Sequence, residues 1–171
     1  RYAYDGALAG DARAWGNLKA RLRMALGYAV ANLEGRLVLG TGNRSELLLG
    51  YFTKHGDGAA DALPLGGLYK TQVVQLGRHL KLPGAILAKR PSAGLWAGQT
   101  DEQELGAGYA TLDRVLHELV DRGRAPQQIA ERLGLKPQFV LDLQRRVEAN
   151  AHKRTPPPQP APRWTAPGAA L

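Results

Sequence analysis

Apolar positions along this chain recur more often at helical than at strand spacing. Between Arg13 and Leu33, the residues Leu18, Leu22, Leu26, Ala29 and Leu33 follow one another in three- and four-residue steps. That spacing predicts a long amphipathic helix, with Arg21, Arg23 and Tyr28 off its stripe and Gly35 as its stop. Leu37-Val38-Leu39 then runs into the small-residue turn Gly40-Thr41-Gly42, which reads as a short strand at 37–40. Asn43 opens a short helical pattern over 43–50, and a loop holding four glycines and one proline fills 51–67. The next helix is expected from about Tyr69 to Leu82, with Pro83 ending it.

Further along, Gly84-Ala85-Ile86-Leu87-Ala88 suggests a second strand, and Pro91-Ser92-Ala93-Gly94 a turn. The acidic run Asp101-Glu102-Gln103-Glu104 suits a helix start, where negative charge is favoured. Leu105, Tyr109, Leu112, Leu116 and Leu119 supply that helix with a buried face as far as Val120. Two more helices are expected at 126–133 and 137–150, parted by Gly134, with Pro137 in an allowed first-turn position. Residues 1–11 read as a loop, and no internal repeat is evident. The final stretch, TPPPQPAPRWTAPGAAL from Thr155, has the composition of an extended, unpacked tail.

Composition changes this picture only at its edges. With 171 residues, 44% hydrophobic and 22% charged, the chain fits one globular domain. A formal charge of +8 suits an anionic partner, either nucleic acid or a phosphate-rich small molecule. Cysteine is absent, which excludes disulfides, thiolate metal sites and a cysteine nucleophile. No apolar run is long enough to cross a membrane, so a cytoplasmic location is the expectation. The opening RYAYDG lacks an initiator methionine and reads as the later part of a longer polypeptide.

The chemistry concentrates in 40–73. An extended segment that stops at a glycine turn and feeds a helix presents backbone N–H groups where open α/β folds bind nucleotides. Asn43-Arg44-Ser45-Glu46 has capping-box spacing, and by itself that role suffices for Glu46; one turn past a strand end, the same carboxylate can also hold Mg²⁺ on nucleotide phosphates. Lys70 in a first helical turn opposes the macrodipole by roughly 0.3–1 kcal/mol, tolerable on a solvated surface and favourable if an anion occupies that helix end. Ser92 can be simply a turn residue.

The strings GTGNRSE at 40–46, GYFTKHGDGAAD at 50–61 and LGGLYKTQV at 65–73 closely resemble the ammonia-dependent NAD synthetases, and the likeness runs from about Arg13 to Arg154. It implies an α/β fold of the adenine-nucleotide α-hydrolase type, helix-rich here with few parallel strands, over residues 1–154 with a tail at 155–171. It also implies ATP contacts at Thr41, Lys70 and Ser92 and a magnesium ligand at Glu46. Deamido-NAD would be gripped by Arg21 in a GN-x-x-AR-x-RM pattern, by Lys54 and Asp61, and by His152 and Lys153 in a terminal HKR. The implied reaction adenylates the nicotinate carboxylate with ATP, releasing pyrophosphate, before free ammonia displaces AMP. A homodimer is implied too, with the 13–33 helix as candidate interface. The family's SGG-x-DS pyrophosphate loop occurs nowhere in the sequence, so this chain alone is expected to be inactive or nearly so.

Two features keep another class open. HKR is also an ordinary cationic helix end. Residues 126–149 have helix-turn-helix spacing, and a basic chain of this kind can touch DNA through Arg145, Arg146 and the 152–154 cluster. Against that, the second helix spends Phe139, Val140, Leu143 and Val147 on burial.

Overall fold

A computed structural model of the chain describes residues 10–159, so most of the opening loop and of the proline-rich tail lie outside the described residues. Helix α1 spans Ala12–Glu34. It starts where Asp11 Oδ1 accepts from the Arg13 and Ala14 amides at 2.8 and 3.0 Å, and it ends on Gly35 at a left-handed φ of 61°. The expected helix is present, but its leucine stripe faces solvent: Leu26 is 70% and Leu33 87% exposed. The buried positions of α1 are Gly16, Ala20 and Ala31. Small residues let other segments approach the helix closely, as Leu95 does at Gly16 and Gly56 at Ala20.

The strand expected at 37–40 is corrected. Its segment is extended, but it forms one isolated parallel bridge, Leu39 to Ala62, supported by Gly40 N donating to Ala62 O at 2.9 Å. Among the described residues no ladder extends it, and Leu37 and Leu39 lie exposed. A run apolar on both faces needs cover on both sides, and here the face of Leu37 and Leu39 has none while Val38 on the other is only half-buried.

The strand expected at 84–88 is also overturned. Gly84–Leu87 is a helical turn, labelled α4 below, in which Leu87 N and Ala88 N donate to Pro83 O and Gly84 O. Pro83 presets the entry and no partner strand is available among the described residues, so the local bonds of a turn win.

Helix α2, Arg44–Leu49, and helix α3, Lys70–His79, flank the loop at 51–67. α3 stops before the expected Leu82, because Lys81 turns to a φ of 56° ahead of the proline. After α4, the single helix expected over 101–120 is two: α5, Asp101–Leu105, and α6, Tyr109–Leu116. Gly106, at φ 80°, ends α5 in the left-handed region. α6 widens into a π-turn at His117–Asp121. Helices α7, Pro126–Leu133, and α8, Pro137–Ala149, follow, and a 3₁₀ turn at Ala151–Lys153 closes the described chain.

The core gathers Leu48 and Leu49 of α2 with Leu105, Leu112, Val115, Leu116, Ile129, Val140 and Leu143. The face expected on the 101–120 region is therefore buried as anticipated. α8 spends its apolar side on this core, as the helix-turn-helix objection required.

Candidate functional site

Two short helices set the site, and each begins with side chains doing the work of missing backbone partners. At the start of α2, Asn43 Oδ1 accepts from Glu46 N, and Glu46 Oε2 accepts from Asn43 N, both at 3.1 Å. The capping box is real and fixes the Glu46 carboxylate one turn past the Gly40-Thr41-Gly42 bend. Its other oxygen, Oε1, accepts from Lys70 Nζ at 3.1 Å, and the same ammonium lies 5.6 Å over the Tyr109 ring.

The start of α3 is capped from elsewhere in the chain. Lys70 N donates to Ser45 Oγ at 2.9 Å, Ser45 Oγ donates to Asp113 Oδ1 at 2.5 Å, and Thr71 N donates to Asp113 Oδ2 at 2.8 Å. The anion that offsets a cation in this first turn is thus Asp113, buried at 5% exposure. Motif reading passed over Asp113. Its only signal was position: it follows Leu112 and sits four residues after Tyr109, a charge on an otherwise apolar helix face.

Opposite, the last carbonyls of α2 are held by cations from the chain end. Arg154 donates to Leu47 O, Leu48 O and Val147 O at 3.1, 2.9 and 3.0 Å. Arg146 donates to Leu49 O at 3.2 Å, and Lys153 Nζ to Gly50 O and Phe52 O at 2.7 and 3.2 Å. Burial pushes the Arg154 and Lys153 pKa values down, since their partners are neutral carbonyls. Gly50 itself has φ 63°, and Asn150 packs where its Cβ would be.

These elements enclose a cleft of about 1130 Å³. Thr41, Glu46, Lys70 and Ser92 all line it, so four candidates from separate segments meet at one cavity. Ser92 Oγ is oriented by donating to Gln99 O at 2.7 Å. Asn17, Asp57 and Arg23 also line the cleft and were not singled out by the sequence reading.

The other five candidates do not line the cleft. Three of them are linked to one another: Arg21 Nε donates to Lys54 O at 3.3 Å, and Lys54 Nζ to His152 O at 2.9 Å. Asp61 accepts from Tyr28 OH at 3.2 Å and from Val38 N at 2.7 Å, which pins the loop to the extended segment. The Lys153 ammonium is turned to the Gly50 and Phe52 carbonyls.

No three His, Asp or Glu side chains gather as a metal cage among the described residues. Glu46 does offer one carboxylate oxygen toward the cleft. A magnesium ion held largely by phosphates and water needs only one or two such oxygens, so the donor set fits that ion and no dedicated all-protein site. The helix-turn-helix reading finds no support here: Arg146 faces inward to backbone carbonyls, and α8 is a core helix.

The family described as NAD synthase matches residues 4–157 of this chain. An NH(3)-dependent NAD(+) synthetase of Methanosarcina mazei is 50% identical over 145 residues, covering 85% of this chain and 56% of that relative. The chain thus spans little more than half the length of this relative. Among solved structures, NMN synthetase from Francisella tularensis is 40% identical with a TM-score of 0.74, over 92% of this chain and 63% of that one. An NH3-dependent NAD synthetase from Campylobacter jejuni is 32% identical with a TM-score of 0.66, over 85% and 54%.

Proposed function

The chain belongs to the NAD synthase family, whose adenine-nucleotide α-hydrolase fold its solved neighbours share, and from that premise we propose that it is the part of an ammonia-dependent NAD synthetase that holds ATP and deamido-NAD. The observation carrying this reading is the meeting of Thr41, Glu46, Lys70 and Ser92 around one cleft.

The roles follow from charge and position. Lys70, at the N-terminus of α3, offers an ammonium to the ATP phosphates, and the Thr41 and Ser92 hydroxyls hydrogen-bond the nucleotide. Glu46 is the residue that would hold Mg²⁺, which when bound neutralises phosphate charge. The Lys70–Glu46 contact keeps both groups in place until phosphate and metal take over as their partners. Arg21, Lys54, Asp61, His152 and Lys153 form the dinucleotide side.

In the reaction a nicotinate carboxylate oxygen attacks the α-phosphorus of ATP and pyrophosphate leaves. Ammonia then attacks the acyl carbon, AMP leaves with its bonding electrons, and the extra proton passes to solvent. The carboxylate needs this activation because oxide is too poor a leaving group. The exposed Leu22, Leu26, Val30 and Leu33 of α1 support a homodimer through that helix, in a cytoplasmic enzyme. With no SGG-x-DS string among the 171 residues, this chain alone binds substrates without turning them over.

Calorimetry with MgATP and with deamido-NAD, alongside ATP–pyrophosphate exchange, tests the reading. Binding of both without exchange is expected; no binding of either, or rapid exchange by this chain, overturns it. A second reading, with nicotinate mononucleotide as acceptor, draws on the 40% identity to an NMN synthetase. Tighter binding of the mononucleotide than of deamido-NAD would select it.

A further inference from the structure

Away from the cleft, a second carboxylate grips the helix starts that Asp113 holds from within. Arg44 is the first residue of α2, and its guanidinium donates to Asp121 Oδ1 on the π-turn. Asp121 Oδ2 accepts from the hydroxyl of Tyr69, the residue ahead of α3, at 2.9 Å, and from His117 Nδ1 at 2.8 Å. The same side chains also pack on one another. The Arg44 guanidinium stands 5.5 Å over the Tyr69 ring, and His117 meets that ring edge-on at 6.3 Å. A backbone bond runs alongside, from Arg44 N to Leu68 O at 2.8 Å. None of Arg44, Tyr69, His117 and Asp121 lines the cleft.

What these residues hold lies just beyond them. Residues two apart stand about 200° apart around an α-helix, so with Arg44 fixed at the back of α2, Glu46 faces the cleft. Lys70 follows Tyr69 directly. Asp113 on α6 and Asp121 on the π-turn that continues it are about two turns apart on one support. One attachment leaves a helix start free to pivot, whereas two on the same support fix its direction. Partly exposed ion pairs such as Arg44–Asp121 and His117–Asp121 add little to stability. The ordering of this group is better accounted for by what α2 and α3 present on their other side.

We infer that Asp121 is a positioning residue: acting through Arg44 and Tyr69, it sets the direction in which α2 and α3 present Glu46 and Lys70 to the cleft. With this clamp closed, the 3.1 Å contact between those two side chains is held where phosphate and its metal would take it over. The consequence for ATP rests on the function proposed above. The coupling of Asp121 to the Glu46–Lys70 pair does not.

Asp121→Asn and Asp121→Glu in the whole 171-residue chain test this. Calorimetry with MgATP and with deamido-NAD is run beside ¹H–¹⁵N spectra, and circular dichroism verifies that each variant is folded. Removing a negative charge would by itself strengthen the binding of an anionic nucleotide. Misdirecting Glu46 and Lys70 acts the other way, so Asp121→Asn is expected to weaken MgATP binding roughly three- to tenfold and to leave deamido-NAD binding unchanged. The amide signals of Glu46 and Lys70 are expected to shift with it. Asp121→Glu keeps the carboxylate and should recover most of the affinity. Unchanged or tighter MgATP binding in Asp121→Asn overturns the proposal, as does equal weakening of both ligands, the mark of a fold loosened throughout. Glu46 and Lys70 signals that stay in place in a folded Asp121→Asn chain overturn it too. If the wild-type chain binds no MgATP, the function proposed above fails, and shifted Glu46 and Lys70 signals still uphold the clamp.

Discussion

The Ser45 hydroxyl donates to Asp113 at 2.5 Å across 68 residues of sequence, and this contact ties the starts of α2 and α3 to α6. Ser45 accepts the Lys70 amide and Asp113 the Thr71 amide, so one buried carboxylate holds both segments that carry the cleft's principal charges. Replacing Asp113 with Ala strands a buried hydroxyl and a helix-end N–H. It should destabilise the chain by about 2–4 kcal/mol, read as a lower urea midpoint with an unchanged slope.

Glu46→Gln separates the cap from the charge. Glutamine keeps an acceptor for Asn43 N, so the unfolding free energy should move by less than about 1 kcal/mol. Magnesium-dependent ATP binding should weaken roughly tenfold or more, because the anionic ligand is gone. Titrations with and without the metal measure the difference, and equal affinity in the two proteins would remove Glu46 from the metal's surroundings.

At the far end of α2, Arg154→Ala should cost about 1.5–3 kcal/mol, since three carbonyls lose one shared cation. Arg154→Lys should recover only part of this, because an ammonium lacks the planar fork that reaches all three. Thermal unfolding of the pair decides it.

Gly50→Ala meets two obstacles at once. Its φ of 63° is strained for alanine, and the new Cβ would stand 2.2–2.4 Å from Asn150 side-chain atoms. A loss of more than about 1 kcal/mol is expected, again by denaturant unfolding.

The Asp121 carboxyl gives an acid-range signature. Burial would raise its pKa, but hydrogen bonds from His117, Tyr69 and Arg44 outweigh that and hold it below the ordinary value of 3.8. A depressed native pKa contributes stability above the unfolded value that disappears as pH falls through the native one. Wild-type stability should therefore drop more steeply than that of Asp121→Asn below about pH 4. Unfolding midpoints across pH 2–6 test the sign; parallel curves would contradict it.

Local rules wrote much of this protein in the sequence. The Asn43–Glu46 cap, the glycine stops at Gly35 and Gly134, and the buried face through Leu105, Leu112 and Leu116 depend on neighbours within a turn or two, and periodicity reports such neighbours directly. The four cleft candidates were legible through the resemblance of their motifs to one family, since they stand on segments as far apart as Thr41 and Ser92. What periodicity could not decide was which apolar face meets a partner. The α1 leucines read as an amphipathic stripe and the 37–40 run as a strand, yet that stripe and Leu37 and Leu39 stand exposed, because burial depends on what lies opposite and not on the pattern itself. The same holds for polar groups. Asp113 at the head of α3, and Arg154 and Lys153 at the end of α2, take their roles from backbone partners 42 to 107 residues away. Only the folded chain brings those partners within hydrogen-bonding distance, so tertiary structure alone turned three ordinary charged residues into the supports of the site.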